Sequence, residues 1–487
     1  MTGSIRRIRL PEWWDPARAF HALYRDRSHA FWLDAGAQAE TGFSYLGAAT
    51  KRSRFVTSSV QAGTLTVAVA GNPSVPLHTS PGTIFEFLRD DLAGANVNDD
   101  PATYDRGEGG FRLGWVGWLG YELGAQTVGT PVHDSRYPDA ALLQVDRAIA
   151  FDHAARTVTL LAIQPVGEPD EIIDDWADSL RGTLMESPEQ NLVPTQPTRR
   201  AADAVQWRHD ARAYGELIRR CQAAIHDGDA YQLCLTNEIR VDVRPDPVNA
   251  YLTLRAGSPS HHGGLLRFGD TALLSASPEQ FLAVTRDGLM TTKPIKGTRG
   301  RSTDPVRDRA LLVELESSEK ERAENLMIVD LMRNDLGRIA EVGSVSVSKL
   351  LAVESYAHVH QLVSTIEARV KVGVTGVDAV ASCFPAGSMT GAPKFSAMTI
   401  LDGLEEGPRG IYSGAFGYFG LDGAVDLAMV IRSIVLDATG ASIGTGGGIT
   451  ALSDPLEEIE ETRIKAAALL DALGARQSDA ATPGDQF

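Results

Sequence analysis

A large α+β fold is the class this sequence predicts, on three observations. Strand-like runs rich in β-branched residues stand on both sides of a Pro- and Gln-rich break. Two helices with explicit start and stop signals lie beyond the break. The chain of 487 residues, 43% of them hydrophobic, can bury more core than one small domain needs. The break itself, Glu186 to Asp203 (ESPEQNLVPTQPTRRAAD), has neither helical nor strand periodicity. It divides the chain into an N-terminal portion, 1–190, and a larger second domain, 203–475. A polar tail, 476–487, is expected to fray.

Taken in order, Thr64–Ala70 (TLTVAVA) and Thr157–Ile163 (TVTLLAI) mix alternation with β-branched residues, as strands of a partly buried sheet do. Beyond the break, Tyr231–Val243 (YQLCLTNEIRVDV) alternates, which sets Gln232, Cys234 and Thr236 on one face and Leu233 and Leu235 on the other. A capping box at Ser318-Glu319-Lys320-Glu321 opens a helix with Leu326, Met327, Val329 and Leu331 on its apolar side, closing at Gly337. The run Ala428–Leu436 (AMVIRSIVL) reads as one apolar strand interrupted by Arg432. Asp454 with Pro455 starts the last helix, which packs through Ile459, Ala466, Leu470 and Leu473 and stops at Gly474.

The formal net charge of −17 argues against nucleic acid or an anionic membrane as a partner. Cys221, Cys234 and Cys383 are far apart and form no metal-ligand spacing, which suits a reducing compartment. The first twenty residues lack the apolar run of a signal peptide, and no stretch is long enough to span a bilayer. A cytoplasmic location is the expectation.

Several segments carry chemistry. Glu321 and Glu324 are three apart on one helix, and Glu458 and Glu461 are three apart on another, so each pair projects from one side. Such pairs suit either two solvated faces or a converging set of hard oxygen ligands for Mg²⁺. Lys296 stands between Pro294-Ile295 and Gly297-Thr298, with Lys293, Arg299 and Arg301 nearby. Crowding by cations would depress its pKa and make it a nucleophile or base, whereas a basic surface turn would leave it inert. Gly387–Lys394 (GSMTGAPK) leads into a helix whose first N–H groups favour an anion, but its spacing is not that of a nucleotide-binding loop. Gly444–Ile449 (GTGGGI) lacks the third glycine of a dinucleotide fingerprint. Arg432, if buried, needs an anion, whether a structural carboxylate or a ligand.

Together these segments resemble the chorismate-binding enzyme family, which includes anthranilate, aminodeoxychorismate, isochorismate and salicylate synthases. The resemblance rests on Asp229–Thr236, Ser277-Pro278-Glu279, Thr292–Thr298, Lys320–Asp335, Phe384–Lys394 and Gly446–Lys465, with weaker matches at Ser44–Gly47 and Gly117–Glu122. It implies the anthranilate/aminodeoxychorismate synthase fold, a large two-sheet β-sandwich core with helices packed outside, and makes 203–475 a chorismate-binding catalytic domain. It also implies that Glu321, Glu324, Glu458 and Glu461 hold Mg²⁺. By the same resemblance, Arg432, Lys465, Tyr412, Thr298 and the Gly446 and Gly448 amides take the two chorismate carboxylates.

Two positions separate the members of the family. Gln232 stands where the water-using members resemble one another in having a lysine, and glutamine is too weak a base to activate water, so ammonia is the expected nucleophile. Pro-Ile-Lys-Gly-Thr at 294–298 is similar to the aminodeoxychorismate branch, where anthranilate synthases read Pro-Ile-Ala-Gly-Thr. The resemblance therefore implies amination at C4 of chorismate through a covalent intermediate on Lys296, with Glu279 as acid. The product is expected to serve 4-aminobenzoate and folate formation; anthranilate synthase is the alternative. No cysteine lies in a Gly-x-Cys-x-Gly setting, so a separate glutaminase subunit is implied as the source of ammonia. In Ala357–Ser364 (AHVHQLVS), Gln361 replaces a histidine of many relatives, leaving His360 as the candidate catalytic histidine. Leu33-Asp34-Ala35 and Gly257–His261 depart from the tryptophan-regulated pattern, so feedback by tryptophan is not expected.

Overall fold

The computed structural model describes residues 2–70, 77–99, 110–187, 205–356 and 359–475. Residues 188–203 of the break and the whole tail from Arg476 lie outside them, as does His358. Glu186, the first residue of the expected break, is the last residue of a helix, Asp170–Glu186.

Among the described residues the strands form two large sheets, one of 13 strands and one of 12. The two sheets face each other across a core containing Phe31, Trp118, Leu266 and Phe416. Helices cover the outer faces. On one side Phe20, Tyr251 and Leu470 pack against Trp32, Leu274 and Ile434; on the other, Ile84, Leu88 and Ile328 pack against Leu282 and Leu427. This is the expected α+β sandwich with its helices outside.

The break in the sequence is not a break in the sheets. In the first sheet His29–Asp34 pairs antiparallel with His262–Phe268, and in the second Gly114–Leu119 pairs with Ala415–Gly420. The N-terminal portion thus extends both sheets of the second portion, and its strands pair with them in register. Gly117 sits on this seam opposite Gly417, where a Cβ would overlap the Ala141 carbonyl oxygen. Gly117→Val is expected to cost about 3 kcal/mol or more in urea unfolding, because backbone must move to admit it.

Three sequence expectations shift. The run from Ala428 to Leu436 is two strands: Val425–Met429 belongs to the second sheet and Ser433–Asp437 to the first. The chain crosses between the sheets at Val430–Arg432, and Arg432 makes the turn with φ +51. In the helix Glu319–Gly337 the buried face is Asn325, Ile328, Val329, Met332, Asp335 and Leu336, while Leu326 is exposed. Polar anchors set that phase: Asn325 accepts from Ser364 and donates to the Leu362 carbonyl, and Asp335 accepts from Lys394. The capping box there is half formed, since Ser318 caps the Glu321 N–H but no reciprocal bond from Glu321 is made. Among the described residues no helix is long and apolar enough to cross a membrane.

Candidate active site

Where the two sheets part, a cavity of about 400 Å³ opens between the strands Ile295–Gly300 and Gly440–Ile449, walled by the helices Glu319–Gly337 and Pro455–Ala472. Every expected site residue lines it except Gln232 and His360.

Local backbone features aim these groups. The strand carrying Lys296 slips register against Val359–Arg369 between Ile295 and Thr298, and such a bulge re-aims a side chain that regular pairing would send elsewhere. Gly297, at φ +84, completes it; a Cβ there would lie 2.9 Å from the Glu321 carboxylate, so glycine is what lets the acidic helix approach. The crossing at Arg432 has a second effect. Ser433–Asp437 pairs with Gly440–Ile449 only as far as Ile443, so the edge beyond is uncovered toward the cavity. Gly446 offers its carbonyl on that edge to Lys465 Nζ at 2.7 Å. In an antiparallel strand a residue's N–H lies on the same edge as its carbonyl, and so does that of the residue two along, so the Gly446 and Gly448 amides point the same way. Arg432 itself lines the cavity and, among the described residues, no carboxylate lies within ion-pair distance of it. Burial holds its pKa below the usual arginine value, with Tyr412 and Glu461 acting in the opposite sense. Burial raises the Tyr412 phenol, which stays neutral and able to donate a hydrogen bond.

The four glutamates face one cavity, each beside a cation. Arg299 lies 3.3 Å from Glu321, Lys296 3.8 Å from Glu324, Lys320 3.8 Å from Glu458, and Lys465 2.6 Å from Glu461. Among the described residues no three His, Cys, Asp or Glu side chains are drawn together as a ready-made metal cluster. The donor chemistry nonetheless suits a hard dication. Burial raises Glu324 and Glu458, and Glu461 adds to the rise in both, a repulsion that a divalent ion would relieve.

Lys296 is not crowded by cations as its sequence neighbours suggest. Arg299 turns to Glu314 and Glu321, and Arg301 to Asp308. Burial pushes the Lys296 ammonium down, but Glu324, Cys234, Glu279 and Glu461 outweigh it, and the net shift is upward. Glu279, also buried, is pushed up to about 7 by desolvation, against the pull of Ser388 and Lys296. An acid and an amine, both shifted upward and each acting on the other's charge, therefore line one cavity.

Gln232 is buried on the strand that pairs with the glycine strand. A Cβ on Gly448 would overlap its Nε2 and lie 3.3 Å from Lys296 Nζ, which sets the amide beside the lysine. Gly448→Ala should displace one or both; turnover is expected to fall on the order of 10²-fold, with little change in melting temperature. His360 is a correction. It is buried on the other face of its strand, bonded to Ser355 Oγ at 2.7 Å and Asp308 Oδ1 at 3.2 Å, and does not reach the cavity. Strand alternation brings its neighbour Gln361 there instead. The Gly387–Lys394 segment is also not the expected anion site. Lys394 Nζ locks onto Asp335 and the Cys383 and Pro385 carbonyls, and the segment's contributions to the cavity are Ser388 and Met389. Ser388 and Lys320 were not singled out from sequence; only their place within quoted motifs pointed to them. Gln361 was noted only as a departure from the histidine of many relatives, and Arg299 only as a cation near Lys296.

Comparison with known proteins gives the same frame. The family described as chorismate binding enzyme matches residues 28–471. An aminodeoxychorismate synthase of Streptomyces griseus is 45% identical over 99% of this chain, which spans 66% of that protein, less than two thirds of its length. Aminodeoxychorismate synthase component 1 of Salmonella typhimurium is 37% identical over 74% of this chain and 77% of that one. The crystal structure of anthranilate synthase component I from Streptococcus pneumoniae superposes with a TM-score of 0.74 at 26% identity, covering 95% of this chain and 99% of that one.

Proposed function

The chain belongs to the chorismate binding enzyme family, and on that premise we propose that it is an aminodeoxychorismate synthase component I. It would convert chorismate and ammonia to 4-amino-4-deoxychorismate, the precursor of 4-aminobenzoate. The observation that carries this reading is Lys296, aimed by a strand bulge into the cavity and sharing it with an acid whose pKa is pushed up to about 7.

In the proposed sequence the Lys296 amine attacks C2 of the chorismate ring. Both ring double bonds shift, from C1=C2 and C5=C6 to C1=C6 and C4=C5, the C4–O bond breaks, and Glu279 gives its proton to the departing hydroxyl, which leaves as water. Ammonia then adds at C4, both double bonds shift back, and the C2–N bond to Lys296 breaks, returning the amine. Two displacements place nitrogen at C4. Gln232, beside Lys296, cannot act as a base toward water. Arg432, Lys465, Tyr412, Thr298 and the Gly446 and Gly448 amides would hold the substrate carboxylates so that C2 stays within reach of the lysine. Glu321, Glu324, Glu458 and Glu461 would hold Mg²⁺, which when bound supplies charge neutralisation for the ring carboxylate.

Ammonia must be delivered to this cavity. Cys221, Cys234 and Cys383 are all buried, and burial raises each thiol, which disfavours the thiolate a glutaminase needs. A separate glutaminase subunit is therefore the proposed source.

A product assay tests the reading. Chorismate, ammonium and Mg²⁺ should give a non-aromatic amine that becomes 4-aminobenzoate only when a lyase is added. Fluorescent anthranilate appearing without a lyase would favour the anthranilate synthase alternative instead.

A further inference from the structure

Each of Glu321, Glu324, Glu458 and Glu461 lies beside one cation of the cavity wall, and three of those four cations are tied down. Lys296 is only 15% exposed in the cavity wall, Arg299 also binds Glu314 and the Thr298 carbonyl, and Lys465 also donates to the Gly446 carbonyl. Lys320 differs. Among the described residues its one ion pair, 3.8 Å to Glu458, is too long for a hydrogen bond, and its side chain is 54% exposed while that of Glu458 is 4% exposed. It projects from the helix bearing Glu321 and Glu324 to the helix bearing Glu458 and Glu461, and the charges of all four glutamates act on it. A buried carboxylate at the meeting point of two acidic pairs is thus covered by a flexible, half-solvated ammonium.

We propose that Lys320 is a place-holding cation, which neutralises the glutamate set in the metal-free chain and is displaced into solvent when a divalent cation enters. The inference rests on the assignment of these glutamates to Mg²⁺. An ammonium and a dication cannot share the same carboxylate oxygens, because their mutual repulsion at contact distance far exceeds what one partly exposed ion pair contributes. The lysine is the partner that can leave, since its stem already lies at the surface. Without it, the metal-free chain would hold Glu458 buried beside Glu461 with only the Ser453 hydrogen bond and the charge of Lys465 to offset it. With it, the helices Glu319–Gly337 and Pro455–Ala472 stay bridged until the metal takes over that role.

Two measurements on the full chain without substrate test this. In a Mn²⁺ titration read by electron paramagnetic resonance, Lys320→Met is expected to bind the ion on the order of ten-fold more tightly than the wild type, and Lys320→Arg close to the wild type. In the wild type, acetylation of Lys320 by acetic anhydride, followed by peptide mass spectrometry, is expected to accelerate when Mg²⁺ is saturating, relative to Lys465. Equal or weaker Mn²⁺ affinity in Lys320→Met, or Mg²⁺-independent acetylation of Lys320, would overturn the proposal while leaving the metal assignment standing. Absence of Mn²⁺ binding in both proteins would remove the metal assignment and the proposal together.

Discussion

Lys296→Ala is expected to lower turnover of chorismate with ammonium by on the order of 10³-fold or more, with chorismate affinity changed by less than about ten-fold. The amine that forms the covalent intermediate is gone, and what remains is direct attack of ammonia on C4. The substrate carboxylates still meet Arg432, Lys465 and Tyr412, which line the same cavity from other elements. Charge and nucleophilicity can be separated with Lys296→Arg. It keeps a cation near Glu324, 3.8 Å from the native ammonium, but a guanidinium is not deprotonated in a protein. If Lys296 acts only as a counter-ion, the arginine variant retains turnover. If it acts as nucleophile, the arginine variant is as inactive as alanine.

The second large effect belongs to Glu279. Attack requires a neutral Lys296 and a protonated Glu279, so the pair must hold one proton and hold it on the carboxyl. Glu279 is pushed up to about 7 by burial; Lys296 is pushed down by burial but raised overall by Glu324, Cys234 and Glu279. Below about pH 7 both groups are protonated and the amine cannot attack. Between the two transitions one proton is shared, and the reactive tautomer is a constant fraction of the enzyme. The kcat/KM for chorismate should therefore rise with pH up to about 7, level off, and fall again only above the raised transition of Lys296. Glu279→Gln has no proton to share; it should lose about 10²- to 10⁴-fold in kcat and lose the limb near 7. A wild-type profile flat through that region, or the same limb in the glutamine variant, would remove Glu279 from the role of acid.

How much of this was legible in the sequence varied with how local the signal was. The alternation in Tyr231–Val243 placed Cys234 toward the cavity and Leu233 and Leu235 toward a helical layer, as observed, because period two is set by the backbone itself. The spacing of Glu321 with Glu324 and Glu458 with Glu461 placed each pair on one helix face, but only the fold brought two pairs 137 residues apart in sequence to the same cavity. The environment of Lys296 was read wrongly from its neighbours. Arg299 and Arg301 find carboxylates of their own, and the charges that act on the lysine come from Glu324, Glu279 and Glu461. His360 failed for a parity reason: a shift of one residue along a strand changes the face, and pairing register is not written in an eight-residue motif. Arg432 was read inside one strand because nothing in an apolar run marks a crossing between sheets. The left-handed turn at a non-glycine residue is imposed by the two sheets it joins.

Whether Lys296 forms a bond to the substrate is read in the intact mass of the protein mixed with chorismate and Mg²⁺ without ammonia. A species heavier by one chorismate less one water is expected, mapped by peptide analysis to Lys296 and discharged by adding ammonium. Formation of the C4 amine at full rate, with no such adduct on Lys296 at any time point, would contradict it.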